Sequence, residues 1–554
     1  MNLHRRPRRS GVLLILFLAV IAAASAAPAA LADTPLNIRF ELKDGDKVGD
    51  TITVVAKVTG SESVGIEKVE FLVDDKPVGT DTSTPYTFDW DTLAESEGPH
   101  TVVATVFDAK GQTKRAKISL NVDNELSKGA DYHADNALAA LKEGNVDAAA
   151  KSARRALKIA PDNLKAARAL AGIHRERREI SEAVAVLEKA AMPDNEIGAR
   201  VELVGLYILE GTTSDSTESF LKSADKAIAV HQKLSEIKAK GIGASPMQRG
   251  DIQFAAHNWP AAVREYQKCV TGLDSAPMPC VNRLILAYIN AGRTRDAESA
   301  LGTVIRAKRA DEVTHVIQAL LLFKQRQWSK AREMVQEGAD NDHVGSLIVA
   351  AYSELAQGQM KRARELADRA AKAAPELPEV QLLRAYTVID AIDASRAANS
   401  ALMADPTLTE AYALKGYQTL LGRDIKKFAA ADALFDYALK RDAMNSYAIM
   451  GLSLSLLGQK RPIESEPLLE QLNKQEPNWP DVHVARALNY SLADKSIKVP
   501  LEMELARKLD PDRFEDALVP TAAELTPRVY RYRFSPVVTP ASLYPAKATA
   551  SVEK

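Results

Sequence analysis

The sequence has only two cysteines, a net charge close to zero, and no histidines beside the cysteines at metal-ligand spacing. A zinc site built from Cys269 and Cys280 is therefore excluded. The net charge is −1, and it becomes −5 when the four arginines at positions 5, 6, 8 and 9 are removed. Because neither value leaves a basic stripe that would neutralise phosphates, we expect no nucleic-acid partner.

The motifs of the common catalytic sites are also missing. The sequence contains no HExxH, GxSxG, phosphate-loop or dinucleotide glycine motif. The nine histidines are scattered, and none pairs with another on one helix at the spacing that metal ligands need. We therefore expect a protein that is not an enzyme, with no catalytic residues, no metal and no cofactor.

Only one long apolar run is present, and it lies at the N-terminus. Four arginines between positions 5 and 9 precede the apolar stretch 11–24, and Ala30-Leu31-Ala32 then offers a cleavage site. This pattern predicts a signal peptide over residues 1–32, with an uncleaved membrane anchor as the alternative, although the apolar core is short for a spanning helix. We expect an exported protein, periplasmic or extracellular at the cell surface, with no membrane span after signal removal.

Export bears on the two cysteines. In an oxidising compartment Cys269 and Cys280 can pair as a disulfide. The alternative is one buried structural thiol and one incidental thiol, and the sequence leaves both interpretations open.

Small or apolar residues recur along most of the chain at a period of about 34 residues, the repeat length of one helical hairpin. The steps range from 31 to 36 residues, with one step of 45, and the recurring residues, called anchors below, are Ala137, Ala171, Gly205, Gly250, Ile285, Ala319, Ala351, Ala385, Gly416, Gly451 and Ala487. A period of this length is typical of stacked helical hairpins, each of which cannot bury its apolar face alone. The period therefore predicts an all-α solenoid.

A second spacing repeats within single units. Ala351 is followed by Ala363, Ala370 and Pro375, in steps of 12, 7 and 5 residues, and the first and last units repeat these steps. The spacing predicts two antiparallel helices that approach closely through small residues, with the proline ending the second helix. Glycines such as Gly144 and Gly358 are placed to form the turns between the helices.

The stretches "NALAALKEGNVDAAAKSARRALKIAPD" and "AAYSELAQGQMKRARELADRAAKAAP" resemble the tetratricopeptide repeat (TPR) family. The resemblance covers residues 127–512 and implies a superhelical solenoid of about ten or eleven repeats. The third unit departs from the pattern, with an insertion near 211–216 and a long second helix toward Lys240.

Residues 33–124 have a different pattern. Alternating stretches such as "TITVVAKV", "KVEFLVDD" and "HTVVATVFD" are separated by turn residues, which predicts an antiparallel β-sandwich. The stretch "VEFLVDDKPVGTDTSTPYTFDWDT" resembles bacterial immunoglobulin-like domains, which commonly serve as spacers or adhesive modules in secreted proteins. The expected fold is thus multidomain, an all-β immunoglobulin-like sandwich followed by an all-α tetratricopeptide-type solenoid.

Three tyrosines directly follow anchors in successive units. They are Tyr352, Tyr386 and Tyr417, and leucines, among them Leu320 and Leu452, take the same place in neighbouring units. The family resemblance implies that this position lines the concave face. We expect a candidate peptide-binding groove with partly exposed aromatic rings, the alternative being that the tyrosines only fill space between helices.

Residues 513–554 contain several prolines and few helical signals, so we expect a flexible C-terminal tail. The alternation of Tyr530, Tyr532 and Phe534 with arginines gives a strand-like pattern, which leaves open a short binding motif or an added sheet-edge strand.

These features predict an exported, non-catalytic interaction scaffold that binds a protein or peptide in the groove of its helical repeats. One alternative is a cell-wall or glycan-binding protein that uses the immunoglobulin-like domain as its adhesive module. Another is an accessory subunit of an envelope enzyme or export complex.

Overall fold

In this computed structural model the described residues are 35–60, 65–214, 216–241, 245–388, 390–422, 427–514, 518–532 and 536–545. The chain divides into two compact units, Met1–Lys128 and Gly129–Lys554. The predicted signal peptide, residues 1–32, and Phe534 of the tail lie outside the described residues.

The first unit is a β-sandwich. Its described strands are β1 (Asn37–Phe40), β2 (Lys47–Val48), β3 (Thr51–Thr59), β4 (Ile66–Val73), β5 (Lys76–Asp81), β6 (Tyr86–Asp91), β7 (Gly98–Asp108) and β8 (Thr113–Val122). One sheet has the order β1-β3-β6 and the other β2-β8-β7-β4-β5. All pairs are antiparallel except β2 with β8.

Strand alternation builds the core of the sandwich. Val54 pairs with Phe88 across β3 and β6, and both side chains are buried. Phe71 on the other sheet reaches Phe88, with the ring centroids 4.8 Å apart. Because successive side chains point to opposite faces, every second residue over much of β4 enters this core.

The second unit is a solenoid of helical hairpins. Its helices are α1 (Ala130–Lys142), α2 (Val146–Ile159), α3 (Leu164–Glu176), α4 (Ile180–Lys189), α5 (Ile197–Thr213), α6 (Thr217–Gly241), α7 (Pro246–Ala255), α8 (Trp259–Gln267), α9 (Met278–Asn290), α10 (Thr294–Arg306), α11 (Glu312–Lys324), α12 (Trp328–Met334), α13 (Gln336–Asp340), α14 (Val344–Ala356), α15 (Met360–Ala373), α16 (Pro378–Thr387), α17 (Ala391–Ala404), α18 (Thr409–Leu421), α19 (Phe428–Arg441), α20 (Ser446–Gly458), α21 (Pro462–Gln475), α22 (Pro480–Leu492), α23 (Val499–Leu509), α24 (Pro511–Phe514), α25 (Ala522–Tyr532) and α26 (Pro540–Leu543). In the described part of the chain, α1 to α23 form eleven hairpins, one for each anchor.

A left-handed residue marks the turn inside most hairpins. Gly144 and Gly358 take this conformation, as predicted. At the turn after α20 the left-handed residue is Lys460, because α20 continues through Gly458 before it ends. The turn therefore depends on position within the hairpin and tolerates residues other than glycine.

Small residues let the helices approach closely. Ten of the eleven anchors are buried, and Gly205 is half-buried. The fully buried Phe435 ring lies against two anchors: a Cβ added to Gly416 would lie 2.7 Å from the ring, and one added to Gly451 would lie 2.2 Å from it. Each distance is shorter than any carbon contact allows, so glycine is required at both positions.

The third hairpin is longer than the others and makes a contact far along the chain. Its second helix, α6, has 25 residues, as predicted for this unit. Helix α5 packs against α17, and α6 packs against α19. Asp225 on α6 accepts hydrogen bonds at 2.7 Å from both Tyr437 and Arg441. The third hairpin is thereby attached to the eighth and ninth.

The chain after the last hairpin differs from our expectation. Within residues 513–554 we expected a flexible tail, but residues 522–532 form a helix, and Leu525 and Val529 on it are fully buried. The strand-like alternation around Tyr530 was misleading, because that residue lies in α25. The expectation was wrong because Leu525 and Val529, four residues apart, give α25 an apolar face that packs on other helices.

The packing around Phe435 gives a first prediction. Gly451→Ala places a methyl group in the ring's position and should destabilise the solenoid by about 1–3 kcal/mol. Gly172→Ala in α3 is the control: there an added Cβ meets only Leu141, at 3.9 Å, and removing a helical glycine should stabilise by roughly 0.5–1 kcal/mol. Urea unfolding followed by circular dichroism measures both. Equal midpoints for the two variants would contradict the close approach.

Candidate binding groove

The first helix of each hairpin presents one side that the anchors define. The residue six positions before an anchor and the residue one position after it are seven residues apart, so they lie two helical turns apart on the same side. We call this side the groove face. One after the anchor stand Leu138, Gly172, Leu206, Asp251, Leu286, Leu320, Tyr352, Tyr386, Tyr417, Leu452 and Leu488; six before it stand Asp131, Lys165, Ala199, Pro279, Val313, Gly345, Glu379, Glu410, Asn445 and Asp481.

The groove face is partly open at the start of the solenoid and covered toward its end. Asp131 and Lys165 are exposed, and Leu138 and Gly172 are half-buried. From the fifth hairpin onward, by contrast, every residue one after an anchor is buried. The two ends of the groove therefore differ in what they offer to a partner.

The three candidate tyrosines lie in the covered part. Tyr352, Tyr386 and Tyr417 are 1%, 5% and 0% exposed, so the expectation of partly exposed rings was wrong. The rings contact one another: Tyr352 and Tyr386 have centroids 6.0 Å apart, and Tyr417 stacks on Tyr447 at 4.2 Å. Burial raises their pKa values well above the ordinary range, so the hydroxyls stay protonated.

The leucines that were predicted to line the groove with these tyrosines are also buried. Leu320 and Leu452 are buried in the same apolar cluster as the tyrosines. None of the five candidate residues is therefore accessible to solvent, which the sequence did not reveal.

These residues are buried in part because the C-terminal segment covers them. We define this segment as residues 518–532 and 536–545. Its helix α25 packs against the first helices α14, α18, α20 and α22. Leu525 and Val529 are fully buried there, and each contributes on the order of 1.5–3 kcal/mol through burial. Tyr530 lies with its ring centroid 6.4 Å from that of Tyr417. The chain thus covers its own groove face.

The end of the C-terminal segment continues along the groove toward earlier hairpins. Thr539 donates a hydrogen bond to Glu379 on α16. His343, which precedes α14, lies with Nε2 3.1 Å from the Leu543 carbonyl oxygen. Asn282 on α9 donates a hydrogen bond from Nδ2 to the Tyr544 hydroxyl at 3.1 Å. The guanidinium of Arg283 lies 4.3 Å from the centroid of the Tyr544 ring. The contacts extend from the eleventh hairpin back to the fifth.

Buried ionisable groups line this part of the groove. Burial raises the pKa of Glu379, and the hydrogen bond from Thr539 offsets only part of that rise. Partial burial also raises the pKa of Glu410 on α18. These carboxyls therefore favour a hydrogen-bond donor or a positive charge in whatever occupies the groove.

A His–Asp–His cluster lies where the third and fourth hairpins meet the eighth. Asp405, at the end of α17, has His231 Nε2 at 3.9 Å and His257 Nε2 at 3.7 Å. Burial lowers the pKa of His257, but the nearby Asp405 carboxylate outweighs burial and leaves the pKa raised. Within the described residues, no group of three or more His, Cys, Asp and Glu side chains is arranged to hold a metal ion.

One Ser–His–Asp arrangement occurs in the sandwich. His100 Nδ1 lies 2.6 Å from Asp74 Oδ2, while Nε2 lies 2.8 Å from the Ser96 carbonyl oxygen and 3.5 Å from Ser96 Oγ. Acceptors at both nitrogens outweigh burial and raise the pKa of His100. An imidazole held between two acceptors has no free lone pair with which to activate the serine, so the arrangement is structural.

Cys269 and Cys280 are free thiols here, so the candidate disulfide is not formed in this structure. Cys269 follows α8, and its thiol donates a hydrogen bond to the Tyr266 carbonyl oxygen at 3.2 Å, while Cys280 lies in the first turn of α9. Burial and the neighbouring Cys280 thiol raise the pKa of Cys269, which disfavours the reactive thiolate. The two thiols are thus neighbours that are not joined.

Comparisons with known proteins agree with the two-part architecture. Family models match a bacterial Ig domain over residues 42–104 and tetratricopeptide repeats over residues 140–206 and 318–378. The chain is an immunoglobulin-like sandwich followed by a tetratricopeptide-type solenoid. A search of curated proteins finds none that matches the sequence.

Three solved structures illustrate the similarity. A chain in the crystal structure of the APC/C hetero-tetramer Cut9-Hcn1 is 13% identical in sequence; the match covers 72% of this chain and 96% of that chain, with a TM-score of 0.42. The MamA protein is 18% identical; the match covers 32% of this chain and 100% of the MamA chain, with a TM-score of 0.23. Fibronectin(III)-like modules of Clostridium thermocellum CbhA are 21% identical; the match covers 16% of this chain and 97% of that chain, with a TM-score of 0.14.

Sequence reasoning missed the covering of the groove. It placed the tyrosines on the groove side of the first helices but did not assign an occupant. A signal was present in the spacing of Leu525 and Val529, which is one helical turn. The prolines nearby obscured that signal, although Pro540 begins α26 and Pro527 is accommodated within α25.

Glu379 gives a prediction with a defined pH dependence. Because its folded-state pKa is raised, the folded state loses stability as pH rises from the ordinary carboxyl value through the raised value. Glu379→Gln keeps an acceptor for Thr539 and should be more stable than the wild type at pH 8, by about 1.4 kcal/mol for each unit of pKa elevation. The gain should vanish near pH 4.

Denaturant midpoints at the two pH values measure the effect. The exposed neighbour Glu376 provides the control, since Glu376→Gln should change the midpoint at neither pH. If Glu379→Gln is instead less stable at pH 8, the carboxylate charge itself stabilises the groove.

The adjacent thiols give another prediction. We expect protein recovered from an oxidising compartment to carry a Cys269–Cys280 bridge, which would contribute about 2–3 kcal/mol by closing a short loop. Intact mass before and after reduction detects the loss of two hydrogens, with Cys269→Ser as the control. Two alkylatable thiols in exported protein would refute the bridge.

Proposed function

We propose that this chain is an exported, non-catalytic scaffold whose solenoid binds a protein segment along the groove face. The tetratricopeptide repeats support protein partners in general. The observation that carries the proposal is the C-terminal segment lying across the first helices, because it displays the kind of ligand that this surface accepts.

The contacts of that segment are those of a recognition site. Apolar side chains such as Leu525 are buried between first helices. His343 lies at hydrogen-bond distance from a main-chain carbonyl, and Asn282 donates to a side-chain hydroxyl. Buried apolar anchors provide affinity, and polar contacts of this kind fix orientation and register.

The open part of the groove face has a different chemistry. Lys165 pairs with Asp135 at 3.1 Å, and Arg168 pairs with Glu202 at 3.0 Å, each pair joining neighbouring first helices. Ion pairs at a solvent-exposed surface contribute roughly 0–1 kcal/mol. A partner can therefore exchange them for its own charges with little loss of stability.

Export is part of the proposal. Its support is the arginine-led apolar stretch at the N-terminus and the small residues that follow it, together with the match to a bacterial Ig domain. In the described part of the chain, no helix combines the length and apolarity needed to cross a membrane. The protein would act in the periplasm or at the cell surface, with the sandwich as a spacer.

Position-resolved photo-crosslinking tests the function. A photoreactive phenylalanine analogue at Lys165 or Arg168, both exposed on the groove side of α3, should form adducts with protein in intact cells. The matched control is Lys151, an exposed lysine on the second helix α2, which should give no adduct.

Two outcomes would contradict the proposal. One is equal adducts from Lys151 and Lys165, which would show contact without a preferred face. The other is absence of protein adducts while an analogue at Lys114 on the sandwich attaches to wall polymer. That outcome would favour the glycan-binding function instead.

A further inference from the structure

The C-terminal segment differs from the rest of the solenoid in how it is held. Each hairpin packs on the hairpins before and after it in sequence, and the third also packs on the eighth and ninth. Helix α25 instead crosses the first helices of several hairpins, and α26 packs on α14, far back along the chain. The segment is thus placed as a ligand would be, across the repeats.

The surface beneath it is shaped for close approach. At Gly345 on the groove face, an added Cβ would lie 3.2 Å from the Leu543 side chain and 3.3 Å from the Ser542 carbonyl oxygen. Thr539 caps α26 and also donates to Glu379. Tyr544 then places its ring against Arg283, which donates a 2.7 Å hydrogen bond to Asp251. The end of the segment is held by specific contacts at three hairpins.

The start of the segment is open to solvent. Leu518 is 88% exposed, so the segment enters the groove from a solvent-accessible point. An opening motion can therefore begin at this end without first breaking the buried contacts of Leu525 and Val529.

Building on the function proposed above, we propose that the C-terminal segment is a replaceable internal ligand, and that the partner displaces it with a segment of the same chemistry. That chemistry is an amphipathic helix with aliphatic residues one turn apart, followed by a hydroxyl-bearing turn and a tyrosine. The segment keeps the apolar half of the groove filled until such a partner arrives, while the open half remains available for the first contact.

Tethering sets how the two occupants compete. A segment joined by a short connection has an effective concentration in the millimolar range. The apparent affinity of a partner falls in proportion to the fraction of molecules whose groove is open. Freeing the segment from its tether should therefore raise the affinity of a competing peptide by about 100-fold or more.

The experiment uses the full chain with a protease site placed at residues 515–517, between Phe514 and Leu518. The probe is a fluorescent peptide of residues 518–545, followed by anisotropy before and after cleavage. We expect little binding to the uncleaved chain and tight, saturable binding after cleavage, with release of the original segment.

Matched peptides test the chemistry. A peptide with Val529→Asp, which places a charge on the buried face, should lose binding, whereas Ala523→Asp on the exposed face should retain it. Tyr544→Phe removes the hydroxyl that Asn282 contacts and should weaken binding severalfold. Equal binding of all peptides would overturn the assignment.

Other results would also overturn the proposal. Cleaved chain that keeps its original segment without exchange, or that unfolds on cleavage, would make the segment a permanent part of the core. Hydrogen exchange on the intact chain also tests whether the segment is replaceable, and it needs no variant. If the segment opens locally, the backbone amides of α25 should exchange faster than those of α18 and α20. Equal protection would mean that the segment opens only on global unfolding.

The occupant and the function are tested separately. If the intact chain forms dimers as its concentration rises, with the segment exchanged between copies, the occupant is a second copy and not a partner. If the segment proves permanent while Lys165 and Arg168 still crosslink to protein, only the displacement fails. Loss of those crosslinks with normal peptide exchange would remove the scaffold function alone.

Discussion

Close approach between helices is the constraint on which the solenoid depends. Gly416 and Gly451 let the Phe435 ring lie directly on two helix backbones, and alanine does the same at most other anchors. Tight crossings fix the rotation of each first helix, and that rotation decides which residues face the groove. The alignment of Tyr352, Tyr386 and Tyr417 along one side is therefore a result of packing at the anchors.

Much of the architecture could be predicted from the sequence. The regular recurrence of the anchors and the steps within single units predicted the hairpins, and strand alternation predicted the sandwich. These features follow from local spacing, because each helix or strand meets neighbours that are close in sequence. Even the long α6 was visible as an interruption of the period.

The state of the groove could not be predicted in the same way. Burial of Tyr417 depends in part on Tyr530, more than a hundred residues later, and no periodic pattern connects the two. Side-chain direction was predictable from the helical repeat, but solvent exposure depends on every element that comes near. The acidic groups Glu379 and Glu410 likewise become unusual only through burial.

The contact of Asp225 with Tyr437 and Arg441 has a consequence for how the molecule folds. Stacked repeats that touch only their neighbours behave as a one-dimensional chain and can unravel from either end. Here a contact across more than two hundred residues joins the third hairpin to the ninth, so the hairpins between them form a closed loop. Such a loop should melt as one cooperative block, and it should form slowly, because its ends must meet before their contact stabilises anything.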